Sequence, residues 1–124
     1  MEYTITNTHR RKMALATHSN GSIAKVKMIA IGTGGMDGRN VRVPVPTATR
    51  LNNEVLRREY TAAEKIDDFC YEYQLRLSGA ELVGQAISEL ALIDEEGDLI
   101  CVLNTRPKEK DDVPETYRIR NHYE

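Results

Sequence analysis

Several groups of residues in this sequence are of the types that bind ligands or perform catalysis. A glycine cluster at residues 32–38 follows an apolar segment, which is where a phosphate-binding loop would stand. Three histidines and two cysteines could ligate a metal or serve as base and nucleophile. Glu89 lies among apolar residues, where a carboxylate could act as a catalytic acid. For each group, the spacing decides whether such chemistry is supported.

The glycine cluster lacks the features that grip a nucleotide. It contains no Gly-Lys-Ser/Thr, its glycines do not follow the G-x-G-x-x-G spacing, and Pro44 and Pro46 stand where a helix should begin. The histidines are scattered and form no H-x-x-x-H pair. Cys70 and Cys101 are expected to be buried free thiols. The sequence therefore favours a flexible loop over a nucleotide site, and it predicts no cofactor and no metal.

Glu89 shares its predicted strand face with apolar side chains. Such a carboxylate must be exposed at an edge, protonated or paired, because an unpaired buried charge costs several kcal/mol. Pairing with an arginine such as Arg57 or Arg76 would give it a structural role. A lone catalytic acid is the alternative, but no partner acid or base supports it.

Two basic groups could contact phosphates or acidic partners. The run His9 to Lys12 is interpreted as a solvated helix face rather than a nucleic-acid site, since no aromatic-studded basic strand accompanies it. Arg118 and Arg120 are interpreted as charges that protect an edge strand against pairing rather than as a binding site.

Composition limits the classes of function. The 124 residues fit a single domain spanning 1–124, with 17 Lys+Arg against 19 Asp+Glu and a net charge of -2. Nucleic acid and anionic lipid are therefore unlikely partners. No apolar run is long enough to span a bilayer and no signal-peptide pattern is present, so we expect synthesis and retention in a reducing cytoplasm.

The first half of the chain predicts a helix, a strand and a long loop. The helix is expected from Thr8 to about His18, capped by Thr6, Asn7 or Thr8 and leaning on a sheet through Met13 and Ala16 or Thr17. A strand follows at residues 24–32 and a surface loop at 33–49. Residues 51–58 fit either a helical turn or the start of a strand.

The second half predicts strands. Residues 67–77 alternate, with Phe69, Tyr71, Tyr73, Leu75 and Leu77 expected to face the core. Residues 86–93 and 99–103 flank the acidic turn 94–98, in which Gly97 can take positive φ. A polar loop is expected at 106–114, and Tyr117, Ile119 and Tyr123 predict a closing strand. The fold class is α+β, with a short N-terminal helix plus a mostly antiparallel β-sheet of four to six strands.

Three segments in this order resemble the N-terminal, baseplate-attachment domain of phage tail-collar and tail-fibre proteins. They are KMIAIGTGG (27–35), LNNEVLRREY (51–60) and ISELALIDEEGDLICV (87–102), followed by PKEK. Residues at the family spacing in the last segment are Glu89, Leu92, Asp94, Gly97 and Leu99. Ala91 stands where the family more often has glycine.

The resemblance implies a non-enzymatic structural protein of the virion, made in the bacterial cytoplasm, that attaches a fibre or collar component to the phage tail or baseplate. It implies other tail proteins as partners and a possible homo-oligomer, whether the chain is a cut-out domain or a stand-alone protein. The predicted partner-binding residues are Met36, Arg39, Val43 and Val45, with Lys108 and Lys110 as a polar rim. An equally weighted alternative is that Val43 and Val45 cover the core. The alternative function is a small ligand-binding or enzymatic domain using Glu89 and the loop 32–38.

Overall fold

The apolar runs in the second half of the chain form the centre of a five-stranded antiparallel sheet in a computed structural model, which describes residues 1–122. The strand order is β1-β9-β8-β2-β5. Its strands are β1 (Glu2–Ile5), β2 (Val26–Gly32), β5 (Glu54–Glu59), β8 (Ala86–Asp94) and β9 (Leu99–Glu109). The predicted α+β class, with a short helix and mostly antiparallel strands, is confirmed.

The predicted hairpin of β8 and β9 is confirmed. Leu90 lies opposite Leu103, and the acidic turn closes through hydrogen bonds from Asp94 N to Asp98 O and from Gly97 N to Asp94 O, both 2.9 Å. Gly97 has a φ of 89°, which a glycine adopts without strain. The hairpin therefore forms for the local reasons that the sequence indicates.

A second sheet of three strands packs on one face of the first. It contains β6 (Ala62–Asp67), β7 (Cys70–Leu77) and β10 (Glu115–His122) in the order β10-β7-β6. Leu75, Leu77 and Ile119 of this sheet join the apolar residues of β2, β8 and β9 in one core. The alternate residues of those strands, such as Ala91 and Val102, face the other side, where Leu51 covers them.

The helix α1 (Asn7–Leu15) begins one residue earlier than predicted and continues as a π-helical turn at Ala16–Asn20. Thr6 is the N-cap, since its hydroxyl accepts a hydrogen bond from His9 N. The expected contact through Met13 is wrong, because His9 is the buried residue of the helix and Met13 is exposed. No helix within residues 1–122 is long and apolar enough to cross a membrane.

Two strand predictions need correction. Phe69 and Tyr71 are exposed while Cys70 and Glu72 are buried, so one face of 67–77 does not meet the core along its whole length. Phe69 lies in the turn between β6, which is exposed throughout, and β7. The segment 106–109 belongs to β9 rather than to a loop, since Lys108 pairs with Ile87.

Other local predictions have definite outcomes. Residues 51–58 contain most of the strand β5, so the strand alternative is confirmed and the helical turn is wrong. Cys70 and Cys101 are buried free thiols, as expected. The strands β1 and β6 were not predicted, nor was the small hairpin of β3 (Met36–Asp37) and β4 (Asn40–Val41) inside the long loop. The closing strand is present as β10, whereas Tyr123 lies outside the described residues.

Candidate partner-binding site

The side chain of Glu89 is a buried anchor beneath the long loop. Its carboxylate accepts hydrogen bonds from the backbone of Gly34 (2.8 Å), Asn52 (3.0 Å) and Asn53 (2.7 Å). Hydrogen bonds to an ionised acceptor are among the stronger ones in proteins. One side chain of β8 therefore holds the beginning of the loop, at Gly34, and the segment that follows its end, at Asn52 and Asn53.

The expected arginine partner of Glu89 is wrong. Arg57 forms an ion pair with Glu54 instead (3.0 Å), and Arg76 is exposed. Backbone N–H groups satisfy the buried charge without any side-chain cation, which a sequence pattern does not reveal. The interpretation of Glu89 as a catalytic acid loses its support, because both carboxylate oxygens are engaged.

Close packing explains three of the four clustered glycines, since a Cβ atom on Gly32 would already overlap the carboxylate of Glu89. A Cβ atom on Gly34 would lie 2.6 Å from the Cβ of Asn52, and one on Gly35 would overlap the carbonyl of Ser88. Gly35 N also donates to the Ser88 hydroxyl at 2.8 Å. The interpretation as a flexible loop therefore needs correction for residues 34–35, which need glycine for close approach to β8.

Further hydrogen bonds fasten the loop at its middle. Arg42 N donates to Gly35 O (2.8 Å), Arg42 O accepts from the side-chain amide of Asn104 (2.9 Å), and Pro46 O accepts from Asn7 N (2.7 Å). The segment 42–46 is consequently held against β9 and the start of α1. Its two valines remain outside these contacts.

The loop presents an apolar surface. Val43 is 67% exposed and Val45 is 57% exposed, so the alternative that they cover the core is wrong. Both valines line an open depression of about 480 Å³, together with Val41, Arg50 and Val102. We define residues 36–50 as the loop surface. Exposed apolar side chains that lie together are a feature of protein contact sites.

The other predicted contact residues are placed differently. Met36 is half-buried in β3 and Arg39 is exposed in the β3–β4 turn, so both belong to the loop surface. Within residues 1–122, neither Lys108 nor Lys110 lines the depression. Lys108 is exposed and pairs with Glu115 at 2.6 Å, which raises the pKa of Lys108.

The prediction of Lys110 as a polar rim residue is wrong. Its side chain is 0% exposed, and its ammonium donates to the carbonyls of Ser78 (3.1 Å), Gly79 (3.4 Å) and Asp111 (2.8 Å). Three carbonyl acceptors replace its hydration. Lys110 therefore stabilises the segment before β10 through these hydrogen bonds and is not available to a partner.

The basic run on α1 also has a structural role that the sequence did not indicate. Lys12 Nζ lies 2.7 Å from Asp94, 2.9 Å from Glu96 and 2.8 Å from Asp98. Burial alone would lower the pKa of Lys12, but the hydrogen bonds to these carboxylates outweigh it and raise the pKa. Burial lowers the pKa of His9. Lys12 therefore ties α1 to the acidic turn, whereas Arg10 and Arg11 are exposed, as the interpretation of a solvated face predicts.

The sequence predicts contact residues of the loop surface but not the residues that hold the loop backbone in place. Asn52, Asn53 and Asn104 were missed, since an asparagine in a loop or strand gives no sign of its distant partner. Only the position of Asn52 and Asn53 in the sequence could have pointed to them, because they follow Leu51, which is buried, in the segment that carries the family resemblance.

A comparison with protein families identifies the chain. A family model for the N-terminal domain of phage tail-collar fibre proteins matches residues 1–122. The chain belongs to this family. The family supports a structural role in phage tails, and it implies a component of the virion tail with other tail proteins as partners. A comparison with curated proteins gave no match.

Proposed function

We propose that this tail-collar domain attaches a fibre or collar component to the tail or baseplate, and that the loop surface makes the contact. The observation that carries the proposal is the exposure of Val43 and Val45 on a backbone that hydrogen bonds hold at both ends and in the middle. A fixed loop loses little conformational entropy when it binds. Docking therefore requires no rearrangement of the domain.

The expected strength of the contact can be worked from the two valines. Complete burial of a valine side chain contributes roughly 1.5 kcal/mol. The exposed fractions of 67% and 57% then correspond to about 2 kcal/mol if a partner covers both side chains. That energy amounts to roughly a 30-fold change in the dissociation constant.

The polar residues around the valines supply orientation. Arg39 extends from the β3–β4 turn, and Arg50 lies in the depression beside Val45. Arginine is common at protein interfaces because its planar donors bind carboxylates and carbonyls in a fixed geometry. The partner is therefore expected to present an apolar patch flanked by hydrogen-bond acceptors.

The experiment is a double substitution, Val43→Ser with Val45→Ser, introduced into the gene in the phage or prophage that carries it. The protein content of purified virions is measured by quantitative immunoblot, and the melting temperature of the purified chain is measured separately. Val83→Ser with Val113→Ser is the matched control, because these valines are 51% and 55% exposed elsewhere on the surface.

The proposal predicts a several-fold loss of the protein from virions for the loop variant, with an unchanged melting temperature, and no loss for the control. Normal incorporation of the loop variant would contradict it. A lowered melting temperature together with poor incorporation would indicate a folding role for the valines and would also count against the proposal. Self-association stays a prediction that light scattering on the purified chain can test.

A further inference from the structure

A second surface of the domain combines positive charge with an open strand edge. A groove of about 520 Å³ lies between β1, the start of α1 and β10. Tyr3, Ile5 and Leu103 give it an apolar base. None of these residues belongs to the loop surface.

The groove has a charge opposite to that of the whole chain. Three guanidinium groups line it, those of Arg10, Arg118 and Arg120, against the single carboxylate of Glu72. Arg120 Nε lies 3.1 Å and Arg118 Nε lies 3.6 Å from that carboxylate. The groove is therefore cationic on a chain whose net charge is -2.

The backbone along one side of the groove is an open sheet edge. Within residues 1–122, β10 pairs with β7 alone. The backbone N–H of His122 donates to the hydroxyl of Tyr3 at 3.2 Å, so it points away from β7. Because backbone groups alternate in direction along an antiparallel strand, those of Arg118 and Arg120 face the same open edge.

We propose that this groove binds an extended acidic segment of a neighbouring tail protein, which adds a strand to the open edge of β10. Carboxylates of the segment then meet Arg10 and Arg118, and an apolar side chain between them covers Tyr3 and Ile5. Main-chain hydrogen bonds give such strand addition its affinity, and side-chain pockets give it specificity. The inference rests on the proposed attachment to tail proteins and assigns that function a second contact.

Charge selects the occupant. A second copy of the same edge would bring the arginines of two β10 strands together, and like charges facing each other across a strand pair are unfavourable. The carboxylates of an acidic strand would instead be attracted to the arginines of β10. The sequence suggested that Arg118 and Arg120 only protect an edge strand against pairing. Because they share a groove with the guanidinium of Arg10, the same charges exclude a second copy of this edge and favour an acidic strand.

The test uses the full chain and fluorescence anisotropy with a labelled peptide in which glutamate alternates with valine. Matched peptides carry glutamine in place of glutamate, or N-methyl groups on alternate backbone amides. We expect the glutamate peptide to bind more weakly as salt rises, and the other two peptides to bind at least several-fold more weakly. Arg10→Gln and Arg118→Gln are each expected to reduce affinity by roughly two- to five-fold.

The neighbouring Arg11→Gln is the matched control, because Arg11 does not line the groove. It is expected to leave affinity unchanged. Absence of binding by the glutamate peptide, equal binding by the glutamine peptide, or equal binding by the N-methylated peptide overturns the inference. A single-stranded oligonucleotide that binds with the same dependence on Arg10 overturns it in favour of a polyanion site.

Failure of this inference is distinguishable from failure of the proposed function. The peptide experiment does not involve Val43 or Val45, so their serine variant should bind the acidic peptide normally. Loss of virion incorporation in that variant reports on the loop surface alone.

Discussion

Replacement of Glu89 by glutamine should destabilise the domain and loosen the base of the loop surface. The two side chains have the same shape, but glutamine has one acceptor oxygen and an amide group that donates. If that oxygen takes the place of Oε2, the bonds from Gly34 and Asn53 survive as neutral ones, while the amide opposes the N–H of Asn52. One charge-assisted bond is then lost, and two donors, the N–H of Asn52 and the glutamine amide, are left facing each other.

The magnitude follows from these contacts. A hydrogen bond to a charged group contributes about 1.5–3 kcal/mol, and a buried unsatisfied donor costs a comparable amount. With partial relaxation of the loop, we expect a loss of roughly 3 kcal/mol in the free energy of unfolding. For a chain of this size, that corresponds to a decrease of roughly 10 °C in melting temperature.

The assay is thermal unfolding followed by circular dichroism, combined with amide hydrogen exchange. Exchange at Gly34, Asn52 and Asn53 should become faster in the variant, because these N–H groups lose their acceptor or its charge. Glu64→Gln is the control for the same chemical change, since Glu64 is exposed on β6. A melting temperature within about 1 °C of the parent, with unchanged exchange at the three amides, would refute the reasoning.

Three other predictions concern the helix anchor, a pH dependence and the thiols. Lys12→Gln should reduce the free energy of unfolding by about 2 kcal/mol in urea denaturation, because buried Asp94 loses its cation but keeps its backbone bonds. Burial alone would raise the pKa of Glu72, but hydrogen bonds and nearby arginines outweigh it and lower the pKa below the ordinary 4.5. The stability from this pairing is therefore present above pH 4.5 and lost as the pH falls through the lower folded pKa, and Glu72→Gln should flatten that part of the stability profile. Burial raises the pKa of Cys101 to about 12, and Cys70 is also buried, so a thiol reagent at neutral pH should label neither until the chain unfolds.

The sequence predicted best the elements whose causes are local. The hairpin of β8 and β9 depends on two apolar runs and on Gly97, all within one stretch of chain. The placement of Val43 and Val45 in a loop could also be predicted, because Pro44 and Pro46 exclude a central paired strand. The fold class followed from these elements and from their order.

Features that depend on distant backbone groups could not be predicted. The partners of Glu89 lie 36, 37 and 55 residues away along the chain, and they are N–H groups that every residue type carries. Lys110 stands in a charged, proline-bounded segment that is typical of a surface loop, yet carbonyls enclose its ammonium. Side-chain type alone gave no indication in either case.

Strand length was misjudged where both faces of a strand are polar. The end of β9 at 106–109 carries charged residues that remain exposed, so no alternation separates it from a loop. Its residues Lys108 and Glu109 pair with Ile87 and Ala86 of the neighbouring strand β8. The register of the hairpin, rather than the local pattern, extends the strand.

The central claim is that the loop surface is a contact with another tail protein, and a cryo-electron microscopy reconstruction of the assembled tail tests it most directly. The account predicts that Val43 and Val45 lie buried against a neighbouring protein, with the backbone of residues 36–50 unchanged. A reconstruction in which both valines face solvent, while another surface of the domain makes the attachment, would contradict it.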